Sequence, residues 1–277
     1  MSKLRQAVTY FNEHGTAAFF SRVIQELGPR RIDRHGIDEV AIVIAALDIR
    51  HRKGVMIDVG AHYGSTSSPF CEAGWQVYAF EPDSQNRAHL TQKIGHFRNI
   101  KIDNRALSNE EKESVTFYRS EQSTGISGLS AFHISHVAAD TVAVTTLAQI
   151  VREHGIRTID FLKIDTEGFD KFVLEGLPWD THTPTTVVAE FEDAKTKPLG
   201  YDFDDFARFL TSRGYQVLVS EWEPIVAYGR THTWADFKIY PCQLNSERAW
   251  GNFIATKDPQ IFARIQAECA RIKGKLQ

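Results

Sequence analysis

The spacing of apolar and polar residues changes near residue 53 of this 277-residue chain. Before that point, apolar positions recur with helical spacing over residues 3–27 and 36–50. After it, short apolar runs alternate with amphipathic helical stretches, and the runs cover residues 55–59, 76–80, 100–102, 159–164, 186–191 and 216–222. This alternation is typical of βαβ units in a parallel sheet. We therefore predict a helical preface over residues 1–52 and one α/β domain over residues 53–277.

The C-terminal part departs from this alternation. The segment "WGNFIATKDP", which begins at residue 250, predicts a last strand that no helix separates from the preceding one, so we expect it to be antiparallel. Residues 120–136 and 223–250 are predicted to be insertions that leave the sheet. The expected fold is a mostly parallel, seven-stranded sheet with helices on both faces. The preface either covers an edge of the domain or forms a homodimer contact, and the sequence leaves both open.

The composition excludes several classes of partner. The chain has 32 basic and 35 acidic residues, with a formal net charge of −3, and the two signs are interspersed. We expect no nucleic-acid partner from this mixture, and a small-molecule acceptor fits it better. The longest apolar run, residues 40–47, is too short to span a membrane. The three scattered cysteines predict no disulfide framework, which favours a cytoplasmic location.

The segment "MIDVGAHYG", residues 56–64, predicts a buried strand, a tight turn and the start of a helix. In an open parallel sheet, ligands bind beyond the carboxyl ends of the strands, next to such a turn. Gly60 and Gly64 allow the backbone to approach a ligand or to adopt positive φ. Asp58 supplies a carboxylate at the end of the strand.

The next strand ends in "VYAFEPD", which places Glu81 where an acidic side chain can accept hydrogen bonds from a ribose diol. A dinucleotide-binding turn has a glycine at the position of His62, so a pyrophosphate site is disfavoured. The alternative function is an NAD-dependent dehydrogenase or epimerase, but no tyrosine in the chain is followed four residues later by lysine. A noncatalytic nucleoside-binding module is a third possibility.

Five segments together resemble the FkbM family of S-adenosylmethionine-dependent methyltransferases. They are "MIDVGAHYG", "AFEPD", "NRALS" at 104–108, "IDFLKIDTEGFDKFVLEGLP" at 159–178, and "VVAEFE". The resemblance covers roughly residues 54–195. It implies a Rossmann-like class I methyltransferase fold that binds S-adenosylmethionine above the carboxyl edge of the sheet. It also implies O-methylation of a hydroxyl on a saccharide, a glycan or another secondary metabolite.

The resemblance also implies a set of cofactor contacts, carried over position by position. These are Asp58, Gly60, Ala61, His62, Gly64, Glu81, Pro82, Asn104, Ala106 and Asp165. The turn after the first strand would lie beside the methionine part of the cofactor, and Glu81 would bind the ribose hydroxyls. Asn104 and Ala106 would lie along the adenine.

A hydroxyl acceptor must lose a proton during methyl transfer, so the chain needs a base or a metal ion. His133 and His136 lie in the predicted insertion at 120–136 and are candidate bases, although a surface position is the simpler interpretation of each. Asp165, at the end of a strand, is the third candidate.

A divalent metal ion is the alternative to a base. Asp165 ends one predicted strand, and Glu190, Glu192 and Asp193 end the next. Carboxylates at the ends of adjacent parallel strands are expected to converge, and oxygen-rich sites of this kind suit Mg²⁺ or Mn²⁺. The competing interpretation is that these acids bind backbone amides or face water.

Overall fold

The computed structural model describes residues 34–120, 124–228 and 230–276; the helix predicted over residues 3–27 lies outside them. The described helices are α1 (Glu39–Leu47), α2 (Ser67–Glu72), α3 (Ser84–Ile94), α4 (Leu147–His154), α5 (Asp170–Glu175), α6 (Asp193–Thr196), α7 (Phe203–Thr211) and α8 (Pro259–Leu276). The described strands are β1 (Val55–Val59), β2 (Gln76–Phe80), β3 (Ile100–Asp103), β4 (Ala106–Leu107), β5 (Lys112–Ser120), β6 (His136–Thr145), β7 (Phe161–Ile164), β8 (Thr186–Glu192), β9 (Gln216–Trp222), β10 (Trp234–Ile239) and β11 (Trp250–Thr256). No helix in these ranges is long and apolar enough to cross a membrane.

The central sheet has the strand order β10-β9-β11-β8-β7-β1-β2-β3 among the described residues. Strands β8, β7, β1, β2 and β3 are parallel, whereas β11 runs antiparallel to both of its neighbours, β8 and β9. The predicted α/β fold with an antiparallel last strand is therefore confirmed. Among the residues that the structure describes, the sheet has eight strands and not seven, because the segment predicted as an insertion at 223–250 contributes β10 to the edge.

Helices cover both faces of this sheet, as predicted. Strands β1 and β7 are mostly apolar and are buried on both sides, as expected for interior parallel strands. One core contains apolar residues of α4, α5 and α7, and the other contains those of α1, α2, α3 and α8. Helix α1, from the predicted preface, packs in the second core through Ile42 and Val43. A homodimer contact of the preface stays a prediction.

A smaller sheet, with the order β4-β6-β5 in the described part of the chain, stands beside the central one. Strands β5 and β6 form a hairpin, and the predicted insertion at 120–136 is the tip of that hairpin. The tip folds back on itself, because the backbones of Tyr118 and Gly128 exchange hydrogen bonds of 2.9 and 3.0 Å. This fold brings Gly128 over the carboxyl edge of the central sheet, against Thr166 and Glu167.

Candidate active site

A cleft of about 350 Å³ lies at the carboxyl ends of β1, β2 and β7. Its floor includes the residues that follow these strands, namely Gly60, Glu81 and Asp165. The hairpin tip covers it through Gly125 and Gly128. This volume lies within the range of pockets that bind small ligands.

The turn after β1 requires glycine at position 60. Gly60 has φ +78°, and a Cβ atom on it would lie 1.9 Å from the carbonyl oxygen of Asp165. The amides of Gly60 and Ala61 both donate to the carbonyl of Phe80 at 3.0 Å. The ends of β1, β2 and β7 are thereby held so close together that no side chain fits between them.

Glu81, directly after β2, is 5% exposed and lines the cleft. Its Oε2 accepts a hydrogen bond from the amide of His62 at 2.7 Å, and its Oε1 accepts one from the amide of Asp83 at 2.9 Å. Burial raises the pKa of Glu81 to about 7, although these two backbone hydrogen bonds act in the opposite direction. The side chain is thus fixed on the turn that forms the floor of the cleft.

Lys163, in β7, lies beneath the same turn. Its Nζ donates to the carbonyl oxygen of Gly60 at 2.9 Å and lies 3.2 Å from Asp165 Oδ2 and 3.7 Å from Asp58 Oδ1. Burial alone would lower the pKa of Lys163, but the Asp165 and Asp58 carboxylates raise it above its ordinary value. Asp58 is fully buried and accepts a hydrogen bond of 2.6 Å from Ser67 Oγ, so it supports the turn from below.

A second buried lysine, Lys195 in α6, lies next to the cleft and is 3% exposed. Its Nζ is 2.6 Å from Glu167 Oε2, 2.8 Å from Glu192 Oε2 and 3.0 Å from Glu190 Oε2. We call these three glutamates the acidic cluster. Burial raises the pKa of Glu190 well above its ordinary value, whereas the three carboxylates raise the pKa of Lys195 despite its burial. The acidic cluster therefore surrounds a cation that belongs to the chain.

Both predicted insertions contact this lysine. The rings of Phe132, from the hairpin tip, and Tyr228, from the segment before β10, lie 5.3 and 5.9 Å from the ammonium of Lys195. The hydroxyl of Tyr228 donates to Glu192 Oε1 at 3.3 Å. Two segments distant in the sequence thus meet over one ion-pair network.

The predicted metal ligands do not all come together. Carboxylate oxygens of Asp165, Glu167 and Glu190 lie within 4.8 Å of one another, and Glu192 joins Glu190 at Lys195. Asp193 is not part of this group.

The carboxylate of Asp193, at the start of α6, instead contacts the start of α7. Its Oδ1 accepts a hydrogen bond of 2.7 Å from the amide of Phe203, and its Oδ2 lies 3.0 Å from Lys197 Nζ. These two contacts account for both of its carboxylate oxygens.

The ring nitrogens of His133 and His136 contact their own loop. His136 Nδ1 accepts a hydrogen bond from the amide of His133 at 3.2 Å, and its Nε2 lies 2.7 Å from the carbonyl oxygen of Ile126. His133 Nδ1 accepts from the amide of Ser135 at 3.2 Å and lies 2.7 Å from Ser135 Oγ. A neutral imidazole has one ring lone pair, and each of these already faces a backbone N–H. A role for either histidine as the base stays a prediction.

The cofactor contacts implied by the resemblance fall into two groups. Those that line the cleft are Gly60, Ala61, His62, Glu81, Pro82, Ala106 and Asp165. Asp58 lies below the floor, and Asn104 is exposed to solvent. Gly64 faces α3, where a Cβ atom would lie 2.5 Å from Leu90 Cδ1.

Sequence reasoning missed both buried lysines. Lys163 is the polar residue in the apolar strand "FLKI", two positions before Asp165, and this alternation places both side chains on one face. Lys195 lies three residues after Glu192, and this spacing gave no sign of burial because it also occurs in exposed ion pairs on helices. A lysine inside a buried strand was therefore the stronger signal of the two.

Comparisons with known proteins identify the family of the chain. Residues 58–217, more than half of the chain, match the family model of the methyltransferase FkbM domain. No protein of curated function matches the sequence. Two similar solved structures are the magnesium protoporphyrin IX methyltransferase ChlM from Synechocystis PCC 6803 with bound S-adenosylmethionine, and the precorrin-6y C5,15-methyltransferase from Geobacter metallireducens GS-15.

The first of these is 12% identical, with 93% of this chain and 98% of that chain covered at a TM-score of 0.42. The second is 13% identical, with 78% of this chain and 88% of that chain covered at a TM-score of 0.38. The family match covers the turn after β1, Glu81, Asp165 and the acidic cluster. The chain belongs to the FkbM family of S-adenosylmethionine-dependent methyltransferases.

Proposed function

We propose that the protein methylates a hydroxyl group on a saccharide, a glycan or another small secondary metabolite. The observation that supports this most directly is that Glu81 and Asp165 line one cleft, on either side of the turn after β1. One carboxylate is buried and fixed by backbone amides, and the other has a side chain that is 44% exposed. The first suits the binding of a ribose diol, and the second is accessible to an acceptor.

The residues present fit the cofactor. Glu81 would accept hydrogen bonds from the two ribose hydroxyls, and Ala106, Leu107 and Phe117 form an apolar wall at the adenine end of the cleft. When bound, S-adenosylmethionine supplies a methyl group on a positively charged sulfur. The carboxylate of Asp165 at the floor of the cleft favours a cation there.

We assign acceptance of the hydroxyl proton to Asp165. Its side chain is exposed to the cleft, and Lys163, at 3.2 Å, fixes its position from below. Val40, Val188 and Asn252 also line the cleft. Their apolar surface and single amide would position a small polyhydroxylated acceptor, because amides can hydrogen-bond to hydroxyl groups in both directions.

The alternatives are less well supported. A dinucleotide-binding dehydrogenase requires a glycine at the position of His62, which has φ +48°. In addition, the family model that matches the chain is that of a methyltransferase. A divalent metal ion has no part in the mechanism that we propose, because oxygens of Glu190 and Glu192 that could bind it are already ion-paired with the ammonium of Lys195.

Calorimetry and an acceptor screen test the proposed function. We expect S-adenosylmethionine and its demethylated product to bind, and NAD to bind at least tenfold more weakly. Cofactor with a labelled methyl group, incubated with methyl glycosides, polyols and phenols, is expected to label an oxygen. Comparable binding of NAD would contradict the cofactor assignment. Labelling of amines alone, or of no acceptor, would contradict O-methylation.

Replacement of Glu81 by alanine is expected to weaken cofactor binding by about 1.5–3 kcal/mol, the range for hydrogen bonds to a charged group. The reason is that Glu81 is a buried carboxylate that lines the cleft, and we propose that the ribose hydroxyls bind to it. Calorimetry measures the change, and Glu111→Ala, at an exposed position, is the control that should leave the affinity unchanged. An unchanged affinity in the Glu81 variant would show that this carboxylate does not contact the ribose.

A further inference from the structure

Lys195 has one positive charge, whereas the acidic cluster around it contains three carboxylates. One ammonium group, which has three protons, lies 2.6, 2.8 and 3.0 Å from three different carboxylates. Three carboxylates at these distances from one point repel one another unless a cation lies between them. Lys195 is that cation, and its burial keeps water from sharing the role.

The acidic cluster is connected to the cleft through Glu167. This residue lines the cleft, and its backbone has φ +58°, a left-handed conformation that is strained for a residue other than glycine. Such a conformation persists only when surrounding contacts fix it, and the 2.6 Å ion pair with Lys195 is one of them. Lys195 therefore determines where a cleft carboxylate lies.

The surrounding structure makes room for this lysine. Gly168 has φ +99°, and a Cβ atom on it would lie 3.1 Å from the Cβ of Lys195. Phe132 and Tyr228 close over the ammonium from the other side. The lysine therefore occupies an enclosed position, next to the loop before α5, the hairpin tip and the segment before β10.

A divalent ion would find suitable ligands at the same place if the ammonium were absent. Oxygens of Asp165, Glu167 and Glu190 lie within 4.8 Å of one another. Carboxylate oxygens in such a group are the ligands that Mg²⁺ and Mn²⁺ prefer. In the native chain, two of these three carboxylates are ion-paired with Lys195 and the third with Lys163.

We propose that Lys195 is a built-in cation that takes the place of a divalent metal beside the cleft. It acts as a positioning residue through Glu167, and it excludes metal ions by occupying the oxygens of Glu167 and Glu190 that would otherwise bind them. Its removal is expected to convert Asp165, Glu167 and Glu190 into a divalent-cation site. This inference concerns metal binding and does not depend on the identity of the acceptor.

The proposal is tested by a titration with Mn²⁺ in which calorimetry and electron paramagnetic resonance measure binding. The native protein is expected to bind no Mn²⁺ at this site, and Lys195→Ala is expected to bind one ion. The double variant that also contains Glu190→Gln should no longer bind Mn²⁺. The control is Lys171→Ala, because Lys171 also pairs with a glutamate, Glu175, but lies outside the cleft.

Two results would overturn the proposal. One is a native protein that binds a single Mn²⁺ and loses it in Glu190→Gln, since the metal would then coexist with the lysine. The other is a folded Lys195→Ala protein that binds no Mn²⁺. Circular dichroism establishes folding, and if the alanine variant is unfolded, Lys195→Gln, which retains most of the side-chain volume, is titrated under the same criterion. If both variants are unfolded, the native titration decides: one Mn²⁺ lost in Glu190→Gln overturns the proposal, and no bound Mn²⁺ supports it.

Discussion

Replacement of Gly60 by alanine is expected to destabilise the protein by about 3 kcal/mol or more and to abolish cofactor binding. The new Cβ would lie 1.9 Å from the carbonyl oxygen of Asp165, which is far inside van der Waals contact. Relief requires β1 and β7 to separate, and the floor of the cleft lies between them. Thermal unfolding and calorimetry with S-adenosylmethionine measure the two effects.

Gly155→Ala is the matched control. Gly155 also has positive φ, at +60°, but nothing lies within 4 Å of an added Cβ. Gly155→Ala therefore introduces the backbone strain of positive φ but no steric clash. We expect it to destabilise the protein by about 1–2 kcal/mol and to leave cofactor binding unchanged. Equal destabilisation of the two variants would show that the close approach at Gly60 has no energetic importance.

Replacement of Asp165 by asparagine is expected to reduce turnover by about 10²–10⁴-fold, the usual contribution of a positioned base. The amide cannot accept the hydroxyl proton, although its size and position are nearly those of the carboxylate. Cofactor affinity should change by only a few-fold. Single-turnover assays with labelled cofactor measure the rate, and Asp140→Asn, at an exposed position in β6, is the control.

Replacement of the two histidines tests the competing assignment of the base. If His133→Gln or His136→Gln lowers turnover to the same extent while Asp165→Asn remains active, then a histidine is the base. That result would require the hairpin tip to rearrange, because both Nδ1 atoms now accept backbone hydrogen bonds. If only Asp165→Asn is inactive, the histidines serve to shape the loop.

The central strands were predictable because their signal is local. Strands β1 and β2 begin and end where the apolar runs do, since both strands are buried on both faces by helices. The β5–β6 hairpin was missed because much of β6 is exposed and its sequence contains no continuous apolar run. β10 was missed for a related reason, because it pairs along only one edge.

The candidate site was predictable where one strand and its turn form it. Glu81 follows directly from the end of β2, and the need for glycine at position 60 follows from the tight turn. Lys195 was not predictable in this way, because its burial depends on Phe132 and Tyr228, which are more than 30 residues away in either direction. The sequence also could not show that Asp193, a candidate metal ligand, would be separated from Glu190 and Glu192, because the chain turns into α6 directly after Glu192.

The position of β11 constrains the order in which the protein can fold. Trp250–Thr256 lies between β8 and β9, so β9 and β10 have no hydrogen-bonded neighbour in the rest of the sheet until that strand arrives. During synthesis, β8 would therefore expose an unpaired edge while about 60 further residues emerge. We expect the parallel half of the sheet, with its cofactor cleft, to form first. Closure of the sheet by β11 is then a late, nonlocal step, and it determines how long the β8 edge is open to aggregation.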